Sequence, residues 1–244
     1  MRKIAIVTGA TAGIGRATAE ALARNDFDVI ITGRRLENLE SLEEEIRSKT
    51  DADVLSLAFD IRDQPAVKAA CDQLTGKWEK VDVLVNNAGL AAGMSHIHEG
   101  SLADWEQMID TNIKGLLYIT RIIVPGMVSR QKGHIINIGS IAGKEAYEKG
   151  NVYVATKFGV DGLTQGMRID LVDHGVKVTS IDPGAVETEF SLVRFKGDSD
   201  KADQVYDGYT PLYAEDIAEA ILFAVTRPPH VNIDDMLIMP TAQG

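Results

Sequence analysis

Short apolar runs, dense in Val and Ile, recur along the chain at Lys3–Thr8, Asp28–Thr32, Val54–Phe59, Val81–Asn86, His134–Gly139 and Val176–Ile181. They do not alternate with polar residues, which is the pattern of strands covered on both faces. Between them, Ile14–Ala23, Leu36–Ile46, Pro65–Leu74 and Leu102–Val128 carry apolar residues at helical spacing, and so do 150–174 and 214–226. Met236–Met239 reads as a last strand. Strand and helix alternating in this way predict a single α/β domain over residues 1–244, a doubly wound parallel sheet of about seven strands with helices on both faces. Residues 185–211 interrupt the rhythm and read as a lid.

Composition narrows the picture. Lys and Arg number 25 against 36 Asp and Glu in 244 residues, a net charge of −11. A phosphate backbone would be repelled over most of such a surface, so nucleic acid is not an expected partner. The single cysteine, Cys71, leaves no intramolecular disulfide and no cysteine-rich metal site. No run approaches the roughly 18 apolar residues of a membrane span, and MRKIAIVT is too short for a signal-peptide core. A cytoplasmic protein without a membrane partner is expected. The five histidines are dispersed, His96 and His98 forming the one close pair, and no metal site is predicted.

The first strand runs into TGATAGIG, Thr8–Gly15. Gly9 permits a tight turn, Gly13 lets backbone approach a pyrophosphate, and Gly15 lets the following helix pack closely on the strand. The helix N-terminus then offers free N–H groups to an anion. An ordinary turn is the bland alternative, but a strand before and a helix after favour the dinucleotide. At the end of the second strand, where an acidic residue would accept from a ribose 2′-hydroxyl, the chain reads Arg34-Arg35. One guanidinium can pair with a 2′-phosphate and the other can stack on adenine, which points to NADP. Alternatively, the two arginines merely open a charged surface helix.

Tyr153 and Lys157 are four residues apart in a helical segment and share a face. An ammonium about 4 Å away, at an effective dielectric near 20, contributes roughly 4 kcal/mol and lowers a tyrosine pKa by about three units. Tyr153 would then work as a base near neutral pH. The alternative is a buried tyrosine beside a snorkelling lysine. Ser140 follows the fifth buried run, so its hydroxyl should face the carboxyl edge of the sheet and bind a reacting oxygen, unless it only caps the next turn. Asn112 lies inside a helical segment that it suits poorly. Arg194 and Lys196, in the irregular region Glu189–Pro211 of an acidic chain, could attract a substrate carboxylate or simply sit on a solvated face.

The spacing G-x-x-x-G-x-G, the NNAG at Asn86–Gly89, a serine after the fifth strand, Tyr153-x-x-x-Lys157 and the turn Pro183-Gly184 occur in order along the chain. In these motifs the sequence resembles the short-chain dehydrogenase/reductase family. The resemblance implies a catalytic set of Asn112, Ser140, Tyr153 and Lys157. It implies cofactor contacts from Gly9, Thr11, Gly13, Ile14, Gly15, Arg34, Arg35, Asp60, Ile61, Asn87, Ala88, Gly89, Tyr153, Lys157, Pro183, Gly184, Val186 and Thr188. Asp60 would meet adenine, with helix capping as its other reading. Asn87 would meet the ribose, or would only tie strand ends with Asn86. In the reaction so implied, Tyr153 takes a hydroxyl proton, Ser140 holds the oxygen, and Lys157 relays the proton through water near Asn112.

Outside these motifs, FSLVRFKGD, HVNIDDMLIMPTAQ, NNAGLAAGM and DTNIKGL resemble one branch of that family, the NADP-dependent 3-hydroxy acid dehydrogenases. That resemblance implies serine, L-allo-threonine, 3-hydroxypropionate or malonic semialdehyde as substrate, bound by Ser140, Tyr153 and Arg194, in a homotetramer. Glu145 and Glu148 would lie near the cleft mouth. A carbonyl or 3-ketoacyl reductase of the same family, and a silent NADP(H) sensor, stand as alternatives.

Overall fold

A computed structural model describes residues 2–243. Seven parallel strands form one sheet: β1 (Lys3–Thr8), β2 (Phe27–Gly33), β3 (Val54–Ala58), β4 (Val83–Asn86), β5 (Gly133–Ile138), β6 (Val176–Pro183) and β9 (Asp235–Ile238). Their spatial order is β3-β2-β1-β4-β5-β6-β9. Five of the six predicted runs become strands whose residues are nearly all buried. The edge strands β3 and β9 are less covered. The burial follows from helices on both sides. Alternate residues of β1 serve opposite cores: Ala5 and Val7 pack with α1 (Gly13–Arg24), α2 (Leu36–Lys49) and α9 (Ala214–Val225), while Ile4 and Ile6 face α3 (Gln64–Cys71) and α5 (Leu116–Arg130). Each fully buried Ile or Leu on these faces contributes about 1.5–3 kcal/mol.

Chain order reverses between β1 and β4, since β2 and β3 extend the sheet one way and β4, β5, β6 the other. At such a switch point the loops leaving two adjacent strands part in opposite directions, and a crevice opens beyond the strand ends.

The predicted helix Leu102–Val128 forms as one unbroken helical stretch that runs on to Arg130, with a π-helical turn inside it. It is α4 (Leu102–Ile109), a π-helical turn at Asp110–Gly115, and α5. Such turns are rare and frequent at functional sites, and this one holds Asn112. The long α6 (Asn151–Leu171) follows β5 across a one-turn helix at Ile141–Gly143. The region read as irregular is ordered as the two-residue strands β7 (Val186–Glu187) and β8 (Leu212–Tyr213), with α7 (Glu189–Arg194) and α8 (Ser199–Asp203) between them.

Candidate active site

A cavity of about 270 Å³ lies along the carboxyl edge of the sheet at the switch point. Gly9, Thr11, Gly13 and Ile14 line one end. Gly9 and Gly13 adopt φ of 66° and 52°, a region L side chains enter at a cost. A Cβ on Gly9 would lie 2.9 Å from the Cα of Ala88. Gly15 does not line the cavity; a side chain there would strike Asn87 and the carbonyl of Gly9, so it lets α1 seat against the end of β1. The residue before α1 is Ala12, which has no side-chain cap to offer. The first-turn N–H groups are left for an anion.

Farther along the same edge, Arg34 lines the cavity and has no ion-pair partner among the described residues. Arg35 is placed differently: it donates to Thr11 Oγ1 and to Glu189 Oε2, both at 3.0 Å, and bridges the cleft to α7. Asp60 and Ile61 line the cavity beside Arg62, which sequence reasoning passed over. Arg62 grips the Asp60 carboxylate with Nε and Nη2, the latter at 2.6 Å, and this hydrogen bonding holds Asp60 below the usual carboxylate range. Helix capping by Asp60 is corrected. Asp63 caps α3, accepting from Ala66 N at 3.1 Å, because it stands directly before the helix. Asn87, Ala88 and Gly89 line the middle. Asn87 donates to the carbonyls of Thr8 and Gly9, and Asn86 to Thr120 and Asn137, so both asparagines do tie strand ends together.

At the other end, Ser140, Tyr153 and Lys157 line the cavity and are all buried. Lys157 Nζ donates to the carbonyl of Ile138 at 2.8 Å and stands 5.9 Å from the Tyr153 ring centre. The expected electrostatics need correction. Burial raises the Tyr153 pKa above its ordinary value, with Ser140 and Arg194 pulling it back only in part. Lys157 itself is lowered to about 8, again by burial, against the pull of Asp182. Removing both groups from water penalises both charged forms, and that outweighs the pairwise attraction argued from spacing. Ser140 Oγ accepts from Ala142 N at 3.1 Å, so it also caps the one-turn helix. Asn112 is buried outside the cavity lining. Its Oδ1 accepts from Leu90 N, and its Nδ2 donates to Leu90 O and to Thr156 Oγ1. A Cβ on Gly89 would touch both Asn112 Oδ1 and Lys157 Nζ, so this glycine keeps the space between them open.

Pro183, Gly184, Val186 and Thr188 line the cavity, Thr188 also capping α7. Arg194 closes α7 and lies outside the main cavity, in a small recess shared with Tyr153. Its Nη2 donates to Tyr147 Oη at 3.0 Å and its guanidinium carbon sits 5.8 Å from the Tyr153 ring centre. Its buried Nε has no partner among the described residues. Lys196, by contrast, is paired with Asp104 at 2.8 Å. Neither Glu145 nor Glu148 lines the cavity, and Glu148 lies 3.7 Å from His96. Tyr147 and Phe190, which approach Arg194 and Tyr153, carried no local signal in the sequence.

The crevice, the glycine turn and the Ser-Tyr-Lys cluster are those of a nucleotide-dependent oxidoreductase. Residues 3–197 match the short chain dehydrogenase family, and the chain belongs to it. It is 49% identical over 242 residues to the NADP-dependent 3-hydroxy acid dehydrogenase YdfG of Salmonella typhi, covering 99% of this chain and 96% of that one. It is 42% identical over 243 residues to the NADP-dependent 3-hydroxy acid dehydrogenase of Schizosaccharomyces pombe, covering 99% and 94%. Among solved structures, the closed form of serine dehydrogenase complexed with NADP+ superposes with a TM-score of 0.95 at 46% identity, covering 99% of this chain and 96% of that one.

Proposed function

We propose that this chain is an NADP-dependent dehydrogenase that transfers hydride between the cofactor and the 3-hydroxyl carbon of a small 3-hydroxy acid. The observation that carries the substrate class is Arg194. It is a cation with no carboxylate within ion-pair distance among the described residues, set against the Tyr153 ring beside the cavity. A substrate carboxylate there would bring its 3-hydroxyl toward Tyr153 and Ser140.

The residues present suit the cofactor. The positive-φ glycines and the uncapped start of α1 suit a pyrophosphate, and Arg34 suits a 2′-phosphate because no acidic partner neutralises it. Thr11, Ile14 and Gly15 complete the turn, and Asp60, Ile61, Asn87, Ala88, Gly89, Pro183, Gly184, Val186 and Thr188 the cleft walls. Arg35 joins them from the rim. Bound there, NADP supplies the hydride acceptor in oxidation and the donor in reduction.

In the oxidative direction Tyr153 takes the 3-hydroxyl proton as its own hydroxyl proton passes on toward Lys157, so that no free phenolate is required, and Ser140 donates a hydrogen bond to the oxygen. Lys157, held near 8, takes up and releases a proton close to neutral pH and suits a relay. Both donors of the Asn112 amide are spent on Leu90 and Thr156, so a relay water can meet only its acceptor atoms. Residues 185–211 serve as the lid. Exposed Ile109 and Leu117 beside the π-helical turn, and Phe158 and Ile169 on α6, suit burial against further copies in a homotetramer. No helix among the described residues is long and apolar enough to cross a membrane, and a free, buried Cys71 suits the reducing cytoplasm.

Initial rates with NADP and NAD on L-serine, L-allo-threonine, 3-hydroxypropionate and a 3-hydroxyacyl thioester test this reading. Turnover of the free acids with NADP supports it. Turnover of the thioester alone would make the protein a 3-ketoacyl reductase, and binding of NADPH without turnover a sensor.

A further inference from the structure

Behind Ser140 lies a buried charge cluster that the proton transfer described above does not use. Asp182, the residue before the Pro183-Gly184 turn, is 1% exposed. Its Oδ1 accepts from the backbone N–H of Ser140 at 3.1 Å and from Ser180 Oγ at 2.9 Å. Its Oδ2 lies 3.3 Å from Lys144 Nζ. The same ammonium donates to Asp161 at 2.8 Å and pairs with Asp235. Three carboxylates converge here, as they would around a metal ion, but the Lys144 ammonium already lies among them.

The connectivity shows what the cluster holds. Ser140 starts the one-turn helix Ile141–Gly143 and Lys144 ends it. One carboxylate, Asp182, therefore meets both ends of the turn that carries the Ser140 hydroxyl, by a hydrogen bond at the start and by charge alone at the end, its Oδ2 having no hydrogen-bond partner among the described residues. Asp161 is on α6, one turn beyond Lys157 and two beyond Tyr153, so it shares their side of the helix. Lys144 thus joins the Ser140 turn to the helix bearing the other two groups. The glycines of the turn fit this arrangement. A Cβ on Gly139 would collide with the Asp182 carboxylate, and one on Gly143 would lie 2.9 Å from the carbonyl oxygen of Lys157.

We propose that Lys144 and Asp182 are positioning residues, which set the Ser140 hydroxyl relative to Tyr153 by tying the Ser140 turn to α6 through Asp161. This rests on the reading above, that Ser140 and Tyr153 act on one substrate oxygen. The groups facing Asp182 are Ser180 on its own strand, Lys144 from the turn, Asp161 and, farther off, Lys157 from α6, and Asp235 from β9. Lys144 favours the ionised carboxylate, whereas burial and Asp235 oppose it and hold Asp182 up at about 6.

Lys144→Met should lower kcat about tenfold or more, since small misplacements of reacting groups are costly, and leave the KM for NADP within about twofold, because the glycine turn and Arg34 lie at the far end of the cleft. Loss of the ammonium also raises the Asp182 pKa, so the acid limb of the kcat profile should move to higher pH by about one unit. Lys144→Arg should restore both. A lower melting temperature with kcat and acid limb unchanged would overturn the proposal and leave the cluster a scaffold. Should Lys144→Met fail to fold, Asp161→Asn decides. It keeps the Lys144–Asp182 pair but weakens the tie to α6, and an unchanged kcat in that variant overturns the proposal. Tyr153→Phe, run in the same assay, separates the two readings: if it stays active, the underlying assignment has failed, and if it is dead while the Lys144 variants are normal, only this inference has.

Discussion

The two ends of the cleft are built on different principles. The end at the glycine turn is made mostly of backbone, with positive-φ glycines and an uncapped helix start, and adds one exposed cation, Arg34, that has no ion-pair partner among the described residues. Nothing there has to be ionised in a buried place. At the far end Tyr153, Lys157 and Asp182 are all buried titratable groups, and each is pushed by burial toward its neutral form. Binding an anion needs only preformed dipoles, which the fold holds without strain. Moving a proton needs groups whose two protonation states lie close in energy; by penalising charge, burial brings Lys157 and Asp182 toward that range and carries Tyr153 away from it, so Tyr153 depends on a neighbour to take its own proton.

The largest test of this contrast is Tyr153→Phe. Turnover should fall by about 10²–10⁴-fold, the usual contribution of a positioned acid or base, with NADPH affinity nearly intact. Retention of more than about 10% of kcat would remove Tyr153 from its role. Lys157→Met should lose activity too, yet gain stability. The folded pKa near 8 lies below the ordinary 10.5. Between those values the unfolded chain binds a proton that the folded one declines, so stability of the unliganded protein falls as pH drops through that window. Below it the deficit stays at about 3 kcal/mol, offset by roughly 1–2 kcal/mol from the hydrogen bond to Ile138. A methionine should therefore raise the melting temperature at pH 7 and cease to do so above pH 10.5. A lower melting temperature at pH 7 would mean that the lysine is no burden to the fold.

The same contrast explains what could be read from the chain alone. The sheet, the glycine turn and the Tyr-x-x-x-Lys pair are local: a two-sided strand reads as an unbroken apolar run, and a helical pair reads as a spacing of four. The π-helical turn at Asn112 has no such signature, because its extra residue is stabilised by contacts to Leu90 and Thr156, far away in sequence. Arg34 and Arg35 are adjacent and chemically identical, yet one lines the cleft and the other is engaged by Glu189 from α7. The downward pull of Lys157 on the Tyr153 pKa, expected from their spacing, is overridden for a related reason. Spacing gives the distance between two groups but not how far both are removed from water. Lys144 and its three carboxylates come from the Ser140 turn, α6, β6 and β9, and no local pattern joins them.

A smaller effect is expected at the recess beside Tyr153. Arg194→Ala should reduce kcat/KM for free 3-hydroxy acids by about 10–150-fold, the range of one charge-assisted contact of about 1.5–3 kcal/mol. The methyl ester of the same acid, which has no charge to pair, should lose far less. Because the guanidinium also donates to Tyr147, Tyr147→Phe should reproduce a fraction of the loss with the same acid-over-ester bias. Equal losses on acid and ester in Arg194→Ala would leave the arginine as a prop for α7.

The smallest shift concerns the two arginines, and it sharpens the contrast at the anion end. Arg34 lines the cleft without an ion-pair partner, whereas Arg35 already donates to Thr11 and Glu189. On the proposed reading, a 2′-phosphate would gain a full charge-assisted contact from the first but would have to compete with a carboxylate for the second. Arg34→Ala should therefore shift the preference for NADP over NAD by at least about tenfold, the equivalent of one contact of roughly 1.5 kcal/mol. Arg35→Ala should shift it less, because that guanidinium is already shared with Glu189 and the negative charge its loss frees at the rim, though it disfavours a 2′-phosphate, is screened by solvent. The measurement is kcat/KM for both cofactors at low and high salt. Raising the salt should narrow the NADP preference of the wild type and of Arg35→Ala, and should barely alter that of Arg34→Ala. Equal losses with NADP and NAD in Arg34→Ala would show that the guanidinium supports the loop rather than the phosphate.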